Sequence, residues 1–181
     1  MRVMGIDPST KCGYAVLGPT KAGTPRTWTA GEIPGTAVKG LERARKIASN
    51  VTAVAIQNAP ELIVIEGYAM GNRFTLVTLV EIGTLIRDRL WKDGFKVVVV
   101  APTQLKKFVL GKGVGKKDQM RLGTFKRWGF ENDSDNAVDA YGLACIGLAL
   151  LGQLPGLIAP QVEVISKLPQ PEGAAFPRRV S

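Results

Sequence analysis

The chain has 181 residues, about the length of one ordinary α/β domain, and its 45% hydrophobic and 22% charged content can support a packed core. Twenty-four Lys and Arg against 15 Asp and Glu give a formal net charge of +9, which points to an anionic partner, nucleic acid first among them. Histidine is absent, which excludes Ser-His-Asp and Cys-His catalysis, His-ligated zinc and a histidine general base, so chemistry here has to use carboxylates, lysines or metal ions.

Arg2 to Ile6 is a short apolar run into Asp7, and Gly13 to Leu17 follows the turn residues Pro8, Ser9 and Thr10, so two paired strands are expected. Arg26 to Ile33 is a third, closed by Pro34 and Gly35. From Gly40 to Ala59 apolar residues recur at spacings of three and four, which predicts a helix ended by Pro60. Leu62 to Ile65 is a continuous apolar run, β-branched from Ile63 onward and suited to a strand buried on both faces, and it terminates at Glu66. Phe74 to Trp91 predicts a second helix, with apolar coverage wider than one stripe. Lys96 to Val100 predicts the fifth strand, and Pro102 opens a short helix through Val109. A loop of glycine and lysine, Gly111 to Lys117, precedes a helix from about Asp118 to Trp128. Asp133 or Ser134 can cap a last helix running to about Leu151.

Beyond Pro155 the chain holds five of its eleven prolines, so residues 155–181 are expected as a partly disordered tail after a domain of residues 1–154. The order β-β-β-α-β-α-β-α-α predicts an α/β fold: a mixed five-stranded sheet, three antiparallel strands and then two parallel ones, with helices on both faces. Cys12 and Cys145 are too few for a structural zinc site and read as two reduced, buried thiols. The opening MRVMGIDPST lacks the apolar core of a signal peptide, and no apolar stretch approaches the roughly 18 residues of a membrane span, so no membrane association is expected.

Asp7 and Glu66 each stand at the end of an apolar strand. A carboxylate there is costly to bury unless it is paired or holds a metal, although Asp before Pro also opens turns and a strand terminus can simply be exposed. If their strands are neighbours, both acids lie at one edge of the sheet, where like charges a few Å apart need a divalent cation or a raised pKa. Asp135 and Asp139 are four apart and share a helix face, with Asn136 also on it. Asp139 sits inside an apolar run where a solvated acid is out of place, whereas Asp133 and Asp135 can serve as N-terminal caps. Acids on strands one and four and on a late helix, in a basic chain without histidine, suit phosphodiester hydrolysis by two Mg²⁺ ions.

Met4 to Thr10, Ile63 to Tyr68, Ala101 to Lys106, Gly111 to Met120 and Asp135 to Tyr141 resemble, in order, the successive motifs of the RuvC family of Holliday-junction resolvases, over roughly residues 2–150. The resemblance implies a ribonuclease-H-like fold, a homodimer, and an endonuclease dependent on two Mg²⁺ per active site, with Mn²⁺ able to substitute, that nicks two opposing strands of four-way or branched DNA. By position, Asp7, Glu66 and Asp139 match the family's metal-binding carboxylates. Many members carry a further acid where this chain has Asn136. Asp135 is offset from Asp139 by about 40° and Asn136 by about 60° the other way. A carboxylate binds Mg²⁺ far better than an amide, which favours Asp135 as the fourth ligand, with Asn136 supporting it.

Lys106 and Lys117 match family lysines able to hold the scissile phosphate or offset developing charge. Lys107, Lys112 and Lys116 extend the basic patch toward flanking phosphates. The loop is not a Walker A motif, because no Ser or Thr follows the lysine. The family places an aromatic residue shortly after the strand-four glutamate, where it stacks on bases; Tyr68 and Phe74 are the candidates here, with Arg73 a candidate phosphate contact. The helix from Phe74 matches the family's dimerisation element. Expected location is the cytoplasm, bacterial or, for a phage-encoded protein, that of the host. The competing readings are a nuclease of this fold acting on forks, flaps, other branched DNA or RNA, and an inert junction-binding scaffold; an actin-like ATPase would need two such domains.

Overall fold

The computed structural model describes residues 1–21, 23–34, 37–68 and 73–169. Its strands are β1 (Val3–Asp7), β2 (Gly13–Lys21), β3 (Thr24–Glu32), β4 (Leu62–Glu66) and β5 (Val97–Val100). The helices are α1 (Gly40–Asn58), α2 (Arg73–Lys92), α3 (Pro102–Leu110), α4 (Lys117–Trp128), α5 (Asp135–Leu150) and α6 (Ala159–Ser166). The strands form one sheet in the order β3-β2-β1-β4-β5. β1 to β3 are antiparallel neighbours, while β4 runs parallel to β1 and to β5, as the strand order of the sequence predicts.

Alternation along the strands divides the interior into two cores. Val3, Leu62, Val64, Val98 and Val100 pack toward α3, α4 and α5. Their neighbours Met4, Ile6, Ile63, Ile65 and Val97 pack toward α1 and α2. The central strands are therefore apolar on both sides, which is why β4 reads as an unbroken hydrophobic run. α1 ends at Ala59 with φ at 45°, a left-handed cap that its non-glycine side chain tolerates poorly, directly before Pro60.

α5 has no single apolar stripe because it is covered nearly all round. Twelve of its 16 residues are buried, and the remaining four are Asp135, Asn136, Asp139 and Leu150. Glycines let it lie flush on the sheet: a Cβ at Gly5 would fall 1.9 Å from the Ala140 carbonyl oxygen, and one at Gly13 would fall 2.0 Å from that of Asn136. Beneath α5, Tyr141 stacks on Phe130 with ring centroids 4.0 Å apart. Both cysteines are buried and free. Among the described residues no helix is long and apolar enough to cross a membrane.

The packed unit continues past the boundary that the sequence suggests at Leu154. Pro160 sits in the first turn of α6, where a proline starts a helix rather than breaking one. Gln161 and Val164 are buried against the rest of the protein, with Ile165 and Leu168 packed beside them. The Gln161 amide donates to the Phe108 carbonyl oxygen at 3.2 Å, tying α6 to α3. Residues 170–181 of the expected tail lie outside the described residues.

Candidate active site

Strand register brings the strand-end acids into one row. Asp7 pairs with Gly13, and Gly13 pairs with Glu32. On the other side Ile6 pairs with Ile65, so Glu66 follows beside Asp7, and Glu66 pairs with Val100. Glu32, Gly13, Asp7, Glu66 and Val100 thus cross one edge of the sheet, each about 4.8 Å from the next. Residues in one row face the same way, and Val100 packs in the α5-side core, so the three acids point toward α5.

Asp7 is buried, 8% exposed, and Glu66 is half-buried beside it. Burial raises the Asp7 carboxyl to about 7, helped by the charge of Asp139, while a hydrogen bond from Glu66 works in the opposite direction. Burial raises Glu66 to about 9, with the charges of Asp7 and Asp139 adding to it. Asp139 comes down from α5 and rises to about 6 through burial and the charge of Asp135, with Lys106 and Lys117 pulling it back. The three acids thus stand close enough to repel one another in a poorly hydrated place.

Lys106, Lys116 and Lys117 line one small cavity with Asp135 and Asp139. Lys112 does not join them; it lines a separate groove with Gln119 and Arg127. Lys107 also departs from the expected phosphate contact, because it sits beside α6 and its Nζ pairs with Glu163 at 2.7 Å. Tyr68 is not presented for base stacking. Its ring packs over Gly83, and its hydroxyl lies 3.2 Å from the Val80 carbonyl oxygen, 3.0 Å from Thr84 Oγ1 and 3.0 Å from an Arg87 guanidinium nitrogen. The side chains of Arg73 and Phe74 lie outside the described residues.

Asp135 is engaged by α4. Lys117 Nζ approaches its Oδ2 at 3.0 Å and Arg121 Nε its Oδ1 at 2.7 Å, and these cations hold its carboxyl below the usual range. Lys117 is raised in return, first through its hydrogen bond to Asp135. Arg121 also donates to the Asp133 carbonyl oxygen. Asn136 is a donor to its surroundings: its Nδ2 lies 2.8 Å from the Lys11 carbonyl oxygen and 3.0 Å from Glu32 Oε1. Sequence reasoning misses Arg121 and Glu32. Glu32 had a readable signal, since it is a third acid at a strand end and a meander of three strands returns that end to the side of Asp7.

Among the described residues no three acid or cysteine side chains already converge on a common point as metal ligands do. Asp7 and Glu66 instead lie side by side with both carboxyls raised, and Asp135 is paired with two cations. The donor chemistry nevertheless fits a hard divalent cation: all the acids offer oxygen, and burial together with mutual repulsion leaves negative charge that a cation would relieve.

The mixed sheet in this strand order, with helices on both faces, has the ribonuclease-H-like fold. More particularly, the chain belongs to the RuvC family, whose model, described as crossover junction endodeoxyribonuclease RuvC, matches residues 3–145. It is 28% identical over 149 residues to the RuvC of Syntrophomonas wolfei, covering 80% of this chain and 86% of that protein. A Chlamydia muridarum RuvC is also 28% identical, over 78% of this chain and 88% of its own. Among solved structures, Thermus thermophilus RuvC in complex with a Holliday junction substrate superimposes with a TM-score of 0.72 at 19% identity, covering 94% of this chain and 99% of that one.

Proposed function

We propose that the protein is a structure-selective DNA endonuclease that resolves four-way junctions by paired, symmetric nicks. The observation that carries this reading is Asp7 and Glu66 side by side at the sheet edge, with Asp139 near enough for its charge to act on both, beside a cavity lined with lysines. The family relatives, named as crossover junction endodeoxyribonucleases, support the substrate. Asp7, Glu66 and Asp139 would hold Mg²⁺, two ions per site with Mn²⁺ able to replace them. Bound there, the ions supply Lewis acidity and lower the pKa of an attacking water.

The chain's own groups do the rest. Lys106 and Lys117 stand beside Asp139, where they can hold the scissile phosphate against the acids and offset charge developing on it. Asp135 keeps Lys117 at the cavity rather than loose in solvent. Lys116 on the same cavity extends the contact to a flanking phosphate. Symmetric cutting needs two sites at a fixed separation, which a homodimer provides. The outer face of α2, with Val77 64% and Val80 37% exposed, is the surface that would form it.

The test offers the protein a mobile four-way junction, a fork, a flap and linear duplex with Mg²⁺, and maps the cuts. Paired nicks at symmetric positions on the junction are expected. Equal cutting of forks or flaps would replace junction resolution with a broader branched-DNA activity.

A further inference from the structure

Glu32 lies in the same row as Asp7 but is tied to a different element. Its Oε1 accepts a hydrogen bond from Ser134 Oγ at 2.6 Å and another from Asn136 Nδ2 at 3.0 Å. Ser134 is the N-cap of α5 and accepts the Ala137 N–H at 3.1 Å, so the carboxylate extends a cap already bound to the helix backbone. The second N–H of Asn136 goes to the Lys11 carbonyl oxygen in the turn that follows β1. One amide thus bridges that turn and β3. Between them Gly13 offers no side chain, and the Asn136 carbonyl oxygen rests in the gap. The first turn of α5 is located by these contacts and by the bare backbone beneath it.

Asp139 is less than one turn further along the same helix. A carboxylate about 6 Å from a helix axis moves about 1 Å for every 10° the helix rotates. Displacements of that size are enough to disable a catalytic arrangement. We propose that Glu32 is a positioning residue: by holding Ser134 and Asn136 through one carboxylate oxygen, it sets the first turn of α5 and with it the placement of Asp139 against Asp7. The inference rests on the reading of Asp7, Glu66 and Asp139 as a metal-holding group. The residue at 136 has to be a donor here, because an acid in its place would face two acceptors, Glu32 and the Lys11 carbonyl.

The experiment titrates Mg²⁺ into the full chain, reads the rise in thermal unfolding temperature, and follows junction nicking in parallel. Glu32→Ala should raise the Mg²⁺ concentration for half-maximal stabilisation about tenfold or more and lower kcat, with KM for the junction within about threefold. Glu32→Gln, whose amide oxygen can accept the same two hydrogen bonds, should stay within about threefold of wild type in its Mg²⁺ requirement. Asn136→Asp should match the Glu32→Ala defect, and adding Glu32→Gln, whose amide donates to the new acid, should recover part of it. A Glu32→Ala variant that titrates like wild type, while Asp7→Asn loses the Mg²⁺ response, overturns the inference alone. A Glu32→Gln variant as impaired as Glu32→Ala also overturns it, because charge rather than the two hydrogen bonds would then be at work. Failure of the double variant to recover any function counts against it equally, and that comparison remains informative if Glu32→Ala does not fold. An undiminished Mg²⁺ response in Asp7→Asn removes the metal reading itself, and the inference with it.

Discussion

Replacing Asp7 by Asn should make the metal-free protein more stable, and by more at pH 8 than at pH 5. The Asp7 carboxyl lies at about 7 in the folded chain against an ordinary 3.8, so folding favours its neutral form. No penalty exists below about pH 4, where both folded and unfolded chains carry the proton. The penalty grows as the pH rises above 4 and is complete once the pH passes 7. At about 1.4 kcal/mol per pH unit, it amounts to about 1–2 kcal/mol at pH 5 and about 4 kcal/mol at pH 8. Asn keeps the shape and can still accept the Glu66 proton through its amide oxygen, so the variant should recover most of that difference. For a domain of this size the gain at pH 8 corresponds to a rise of roughly 8–16 °C in unfolding temperature. The assay is thermal unfolding in chelator at the two pH values, repeated with Mg²⁺. Wild type should gain stability from Mg²⁺ at pH 8 and the variant should not. An Asp7→Asn protein less stable than wild type at pH 8 in chelator, or equally stabilised at both pH values, would refute the reasoning.

Gly13→Ala should lower stability by about 1–3 kcal/mol or more, because its Cβ meets the Asn136 backbone at 2.0 Å; Gly31→Ala, whose nearest neighbour is the Tyr14 ring at 3.9 Å, is the matched control in thermal unfolding. Asp135→Asn should slow nicking while leaving the Mg²⁺ requirement within about threefold, since Asp135 holds Lys117; a rise of tenfold or more in that requirement would make Asp135 a metal ligand instead. Gln161→Ala should cost about 1–3 kcal/mol in denaturant unfolding by orphaning the Phe108 carbonyl, and a loss under about 0.5 kcal/mol would mean α6 adds little to the domain. Ala59→Gly should add about 1 kcal/mol by relieving the left-handed cap of α1, which the same titration would detect.

Strand and helix positions were legible because period and punctuation agree in this chain: Pro60 stops α1, Pro102 starts α3 and Ser134 caps α5. The same prolines misread the C-terminal stretch, where Pro160 begins a helix and the spacing of Gln161, Val164, Ile165 and Leu168 decides burial. Asp7, Glu66 and Asp139 could be read as a group because two end apolar strands and the third interrupts an apolar helix, and an acid in either place needs a reason. The surroundings of each cation could not be read this way. Lys106 and Lys107 are adjacent in sequence, yet one faces the acids and the other pairs with Glu163, since successive helical residues point about 100° apart. Tyr68 carried a stacking signal in its type and position, but the missing side chain at Gly83 gives its ring a berth on α2. The meander makes the place of Glu32 in the row readable, but its partners Ser134 and Asn136 lie 102 and 104 residues away in sequence, which no local pattern encodes.

The sheet behaves as a bulkhead between two compartments. All the acids of the row open into the compartment of α3 to α6, while the other holds α1, α2 and a mostly apolar filling in which Thr52 of α1 is buried. Redesign of the α1–α2 layer, to change its partner or its stability, should therefore leave the spacing of the acids intact. Such a change would spare the acids of one site while altering the separation of two sites joined through α2.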